Sequence, residues 1–206
     1  MTISPIVIFG GSFDPIHKSH IDISLDVLSE LKLTEIYLLP CNIAVHKKTQ
    51  TSSYNRIKML EIAIRKHKNV KIDNREIMRE GKSYMIDTLL DIKKNNPSRK
   101  ILLVMGSDSL NNFHKWKSWR EILELTHLVV AIRKSIPIKP HNELVKYLTN
   151  NKEELWKKNV GSIYYLPGKY INVNSTAIRS NLKENKKVDG LDNYVLEYIQ
   201  SNELYL

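Results

Sequence analysis

The chain has 206 residues, 42% hydrophobic and 26% charged, as expected for a soluble globular protein with a core the size of one α/β domain. Its single cysteine, Cys41, excludes an intramolecular disulfide and a cysteine-based zinc site, and suits a reducing cytoplasm. The formal net charge of +10 would serve either nucleic acid or anionic small substrates, but the lysines are scattered along the chain, so no nucleic-acid partner is expected.

Ile6-Val7-Ile8-Phe9 is a short apolar run between Ser4-Pro5 and two glycines, the pattern of a strand buried on both faces. Gly10 and Gly11 let the backbone turn and approach a ligand with no Cβ in the way. Asp14-Pro15 reads as a helix start, with Asp14 as N-cap and Pro15 at the first helical position. His17 and His20, three residues apart, then share one face of the first turns. A helix N-terminus offers unpaired N–H groups and partial positive charge, and two imidazoles add donors. The stretch is suited to polyphosphate.

From Ser19 to Lys32, the spacing of Leu25, Leu28 and Leu31 predicts an amphipathic helix, and Glu35–Pro40 a second parallel strand. The next loop places Asn42, His46, Lys47 and Lys48 just past a strand's carboxyl end, where open α/β sheets bind ligands. Tyr54–His67 reads as a helix with Ile57, Met59, Leu60, Ala63 and Ile64 inward and Arg56, Lys58, Glu61 and Arg65 outward. Val70–Ile77 alternates as a strand. Ser83 reads as the cap of a helix that turns Met85, Ile86, Leu89, Leu90 and Ile92 to the core.

Ile101–Met105 is a strongly apolar strand ending in Gly106-Ser107-Asp108; Trp116 and Trp119 follow in a short helix, then Leu128–Ile132 as the next strand. Residues Ser135–Asn159 read as an insertion. Ser162–Leu166 is a last strand, Asn174-Ser175-Thr176 caps a helix through Leu182, and Leu191–Ser201 is the final helix. Strands alternating with helices throughout predict one domain over residues 1–206: a doubly wound, mostly parallel, Rossmann-like α/β sheet with helices on both faces. The first residues lack a basic segment followed by a long apolar one, and no apolar run approaches the ~20 residues of a membrane span. Neither a signal peptide nor a membrane partner is expected.

The opening loop is not a Walker loop or a G-x-G-x-x-G turn. Gly10-Gly11-Ser12-Phe13-Asp14-Pro15-Ile16-His17-Lys18-Ser19-His20 resembles instead the G-[GT]-[FST]-F-D-P-x-H-x-G-H signature of the adenylyl- and cytidylyltransferase superfamily, with Ser19 where Gly is usual. A lone H-x-x-H could equally be a metal pair or two surface histidines; the strand, glycines and Asp-Pro before it favour the superfamily. A late [IV]-S-[ST]-[ST]-x-[IL]-R motif is matched by Val173-Asn174-Ser175-Thr176-Ala177-Ile178-Arg179, where Asn174 is an equally good cap. A Ser/Thr pair opening a helix with an arginine one turn in makes a second anion site.

The middle of the chain resembles the bacterial nicotinate-nucleotide adenylyltransferase family nearly end to end. Its N-[NT]-x-P-P-H-[KR] loop is matched by Asn42 to Lys47 without the prolines. Its S-Y-T-x-x-T-L helix start is matched by Ser83 to Leu89 with Met85 in place of Thr, and its G-x-D-x-L-x-x-[FL]-x-x-W run by Gly106 to Trp116. The resemblance implies transfer of the adenylyl group of ATP to nicotinic acid mononucleotide, giving deamido-NAD and pyrophosphate. It implies catalytic roles for His20 and His17, and ATP binding by Gly10, Gly11, Ser12, Phe13, Gly106, Asp108, Ser175, Thr176, Arg179, His46 and Lys47. Tyr84, Met85, Trp116, Lys117 and Asn42 would meet the mononucleotide. Mg²⁺ would come with ATP, and no protein-held metal is implied. A pantetheine-phosphate adenylyltransferase or a cytidylyltransferase would share the two end motifs but not the middle ones, and a basic nucleic-acid-binding protein would use the charge directly. A homo-oligomer is left open.

Overall fold

A computed structural model of the chain describes residues 4–45, 51–133, 137–170 and 173–206. Its strands are β1 (Ile6–Gly11), β2 (Ile36–Pro40), β3 (Val70–Ile72), β4 (Ile101–Gly106), β5 (His127–Arg133), β6 (Leu148–Thr149) and β7 (Ile163–Tyr170). They lie in one sheet in the order β3-β2-β1-β4-β5-β7-β6, and every neighbouring pair is parallel. Helices follow as α1 (Lys18–Glu30), α2 (Ser53–Ile64), α3 (Met85–Asn95), α4 (Ser107–Asn111), α5 (Trp119–Leu125), α6 (Glu154–Lys157), α7 (Ser175–Lys183) and α8 (Asn193–Ser201).

Side chains alternate across a strand, so each central strand feeds two cores. Val7, Phe9, Leu38, Leu102, Val104, Val129 and Leu166 point to one face, where α1, α2, α7 and α8 cover them. Ile8, Leu39, Leu103, Met105, Leu128, Val130 and Ile163 point to the other, under α3 and α5. This is the doubly wound arrangement the alternating elements predict, and it is parallel throughout. Among the described residues no helix is long and apolar enough to cross a membrane.

Several local expectations give way to tertiary partners. The first helix begins not at Asp14-Pro15 but at Lys18, with His17 as its N-cap; the Asp14 carboxylate is taken by the Tyr205 hydroxyl at 2.7 Å and cannot cap. Ser83 does not cap α3 either: its hydroxyl accepts the Asn42 N–H at 2.8 Å, and Tyr84 is the N-cap residue. Leu90 faces solvent, because α3 buries only the stripe of Ile86, Thr88, Leu89 and Ile92. The strand expected over Val70–Ile77 stops at Ile72, where Asp73 N–H bonds Leu38 and the chain turns. Trp116 lies in extended backbone between a 3₁₀ turn, Phe113–Lys115, and α5. The segment read as an insertion contributes β6, which extends the sheet beyond β7.

His127 opens β5 with no solvent exposure, its Nδ1 accepting the Ser162 N–H at 3.2 Å. Burial, helped by the nearby Lys100 charge, lowers its pKa from 6.5 to about 4. Between those values the unfolded chain binds the extra proton, so stability falls as pH drops through them. His127 should cost about 2 kcal/mol of stability between pH 7 and pH 5. Urea unfolding of His127→Asn, which keeps an acceptor for Ser162, should show a correspondingly flatter pH dependence than the parent chain.

Candidate active site

Strand β1 sits between β2 and β4, so the connections leaving it wind to opposite sides and open a crevice at its carboxyl end. A cavity of about 500 Å³ occupies that place. Its floor is Gly10, Gly11 and Ser12 from the end of β1, with Leu39 and Cys41 from β2 and Leu103 to Met105 from β4. Its far wall is Tyr84 and Met85 at the start of α3, and Asp108, Lys115, Trp116 and Lys117 beyond β4. Of the residues singled out by sequence, Gly10, Gly11, Ser12, Tyr84, Met85, Asp108, Trp116 and Lys117 meet here. Gly106 ends β4 and is the N-cap of α4, between Met105 on the floor and Asp108 on the wall.

Both glycines leave room for a neighbouring side chain, Gly11 for a ring and Gly10 for a flexible methyl. A Cβ on Gly11 would stand 3.1 Å from the Phe13 ring, and one on Gly10 would stand 2.8 Å from the Met85 methyl. Phe13, expected among the ATP-binding residues, is 1% exposed. Its backbone takes a left-handed φ of +47°, which turns the ring under Gly11 and against His20 at 5.0 Å between centroids. It supports the site from below.

His17 and His20 stand beside this loop, their rings stacked 3.8 Å apart. Ser19 is buried between them in sequence without disturbing that stack. The His17 N–H reaches His20 Nδ1 at 3.2 Å. A neutral imidazole that accepts at Nδ1 carries its proton on Nε2, so His20 is fixed as an Nε2–H donor.

Helix α7 brings the second anion motif to the same loop. Asn174 caps it, accepting the Ala177 N–H at 2.9 Å. Ser175 Oγ donates to the Pro15 carbonyl at 3.0 Å, and Arg179 Nη1 to the Asp14 carbonyl at 2.7 Å. Arg179 Nη2 lies 3.3 Å from the Thr176 hydroxyl, which is itself exposed. Residues 160 positions apart in sequence thus share one loop.

At the other wall no side chain caps α3, and the Asp87 N–H turns back to the Tyr84 carbonyl at 3.1 Å, so the start of the helix, with its positive dipole end, stands where Tyr84 and Met85 line the cavity. Lys117 Nζ lies 4.5 Å from the Tyr84 ring centroid and 3.5 Å from Asp87 Oδ1. Trp116 is half-buried, packed on Phe113 at 5.4 Å. Asn42 is a brace rather than a wall: its Nδ2 donates to the Arg79 carbonyl and its own carbonyl accepts from Arg56. His46 and Lys47 lie outside the described residues.

The sequence reading missed two charged groups. Arg56, read as outward, is 1% exposed and donates to the carbonyls of Ser12 at 2.8 Å and Asn42 at 3.1 Å. The signal was its phase, since Arg56 stands three and four residues before the inward Met59 and Leu60. Glu76 is 3% exposed on the cavity wall, accepts the Thr88 hydroxyl at 2.6 Å, and has its pKa raised by burial. Nothing in its alternating stretch marks it. The shorter lysine side chain lacks the planar fork whose two nitrogens reach the carbonyls of Ser12 and Asn42. Arg56→Lys should therefore lower unfolding stability by about 1–3 kcal/mol, as measured in urea.

A family model for cytidylyltransferase-like proteins matches residues 8–181. A protein of Idiomarina loihiensis described as a probable nicotinate-nucleotide adenylyltransferase is 32% identical over 97% of this chain and 98% of its own length. Proteins of the same description from Psychromonas ingrahamii and Buchnera aphidicola (subsp. Schizaphis graminum) are 35% and 37% identical, over 95% and 96% of this chain and 94% of each relative. In fold, the chain is similar to a Plasmodium falciparum nicotinic acid mononucleotide adenylyltransferase complexed with NaAD, with a TM-score of 0.79 at 20% identity over 98% of both chains. With relatives this similar along almost its whole length, and both end motifs folded onto one loop, the chain belongs to the nicotinate-nucleotide adenylyltransferase family.

Proposed function

We propose that this chain transfers the adenylyl group of ATP to nicotinic acid mononucleotide, forming deamido-NAD and releasing pyrophosphate. The observation that carries the reading is the stacked His17–His20 pair at the start of α1, beside a cavity with an uncapped helix start and a tryptophan on its far wall. One side suits phosphates and the other a flat ring bearing an anion.

In the reaction the mononucleotide phosphate attacks the α-phosphorus of ATP and the bond to pyrophosphate breaks in line. Such a transfer asks for positioning and charge stabilisation more than for a protein nucleophile. His20, fixed as an Nε2–H donor, meets the α-phosphate as charge builds on the bridging oxygen, and His17 meets the neighbouring phosphate. Arg179 and the α7 start hold the β,γ-phosphates, Gly10 to Ser12 border the meeting point of the two nucleotides, and Asp108 receives the adenosine ribose. Trp116 stacks on the pyridine ring, and the N–H groups at the start of α3, with Lys117 nearby, receive its carboxylate.

Among the described residues no three His, Cys, Asp or Glu side chains gather as a metal cage. Magnesium keeps several waters and reaches such proteins largely through substrate phosphates, and donors such as His20 and Arg179 fit an ion held by the triphosphate itself. When bound, it neutralises charge on the leaving pyrophosphate. A lone thiol suits the cytoplasm, the compartment this reading takes.

Product analysis after incubating the protein with ATP, Mg²⁺ and each mononucleotide in turn tests the assignment. Deamido-NAD and pyrophosphate should form, and nicotinamide mononucleotide should be the poorer substrate because its NH₂ leaves one backbone donor unpaired. His20→Ala should lower kcat by ~10²–10³ with a smaller effect on ATP binding. A kcat within about threefold of the parent would remove His20 from the chemistry. Arg179→Lys should raise the KM for ATP while leaving that for the mononucleotide nearly unchanged, since only the planar fork serves two oxygens. Steady-state kinetics with each substrate varied separates the two.

A further inference from the structure

The loop that carries His17 and His20 is also held from the opposite end of the sequence. Beyond α8 the chain folds back, and Tyr205 enters the same apolar cluster as Phe13, Ile16 and Ile199, at 9% exposure. Glu203 and Tyr205 adopt left-handed φ values of +50° and +68°, a conformation that side chains other than glycine adopt sparingly. The tail takes this path and delivers a hydroxyl: Tyr205 Oη donates to Asp14 Oδ1 at 2.7 Å. Burial, and then the carboxylate beside it, push the Tyr205 pKa up, which keeps the phenol protonated as a donor.

Asp14 stands at the junction of the site. Its carbonyl holds Arg179, and its preceding neighbour Phe13 packs on His20. A side-chain bond on one end of this residue and a main-chain bond on the other leave it little freedom. Charge-assisted bonds in a dry setting are stiff.

We propose that Tyr205 is a positioning residue for the adenylyl transfer, acting through Asp14 on the Arg179 guanidinium and on the loop that presents His20. The inference rests on the phosphate-binding roles given above to His20 and Arg179. Tyr205→Phe keeps the ring and loses only the hydroxyl, whereas Leu204→Ala loosens the same tail without touching Asp14.

Displacing catalytic groups by fractions of an ångström is costly, so Tyr205→Phe should lower kcat about tenfold, raise the KM for ATP a few-fold and leave the mononucleotide KM within about twofold. Leu204→Ala should lower the Tm more than Tyr205→Phe does, yet keep the parent kcat well below that Tm. Asp14→Ala, which removes the acceptor, should reproduce the kcat loss, and the double variant Asp14→Ala/Tyr205→Phe should be no slower than the worse single one. A Tyr205→Phe kcat within about twofold of the parent, kcat losses that track Tm in both tail variants, or additive losses in the double variant would each overturn the positioning role. A parent chain that makes no product would overturn the adenylyl-transfer reading itself. Activity in the parent with a silent Tyr205→Phe overturns only this inference.

Discussion

The site depends on how the main-chain carbonyls between β1 and α1 are occupied. Gly11 O takes the Cys41 N–H, Ser12 O takes Arg56, Asp14 O takes Arg179 and Pro15 O takes Ser175. Because a peptide unit is planar, a carbonyl turned to one partner turns the next N–H the other way. The loop's dipoles are therefore set by donors from β2's end, α2 and α7 rather than by the loop's own short sequence. Two of these donors are guanidinium groups that bond neutral main-chain oxygens, an arrangement that keeps positive charge beside the loop.

The sheet order gives this loop its neighbours. With β1 flanked by β2 and β4, the first crossover carries α1 to one face while the chain returns through α3 to the other. The His17–His20 pair and the start of α3 consequently approach the end of β1 from opposite layers. Helix α7 arrives on the α1 side after the sheet is complete, and closes the loop from behind. Two walls of different character follow from one topological reversal: a donor-rich one with the His17–His20 pair and Arg179, and an aromatic one with Trp116 near the start of α3.

How much of this was legible depended on how local the determining interaction was. The central strands could be read because Ile6–Phe9 and Ile101–Met105 are apolar without interruption, which only a strand covered on both sides requires. The histidine pair and Arg179 could be read because cap, spacing and glycine lie within a few residues of one another. Asp14 could not, since its partner Tyr205 is 191 positions away and an aspartate before proline looks like any helix cap. Arg56 was misjudged by charge although its helical phase pointed inward. The two-residue strand β6 carries no pattern of its own and exists because β7 offers it an edge.

The contact between Met85 and Gly10 makes the cavity's width a joint property of two positions. Methionine has three rotatable side-chain bonds, so its methyl can retreat from an intruding atom at small energetic cost. The space it would retreat into is the cavity itself, which both residues border. A side chain appearing at position 10 would therefore leave the fold almost untouched and be felt instead by whatever the cavity is meant to hold.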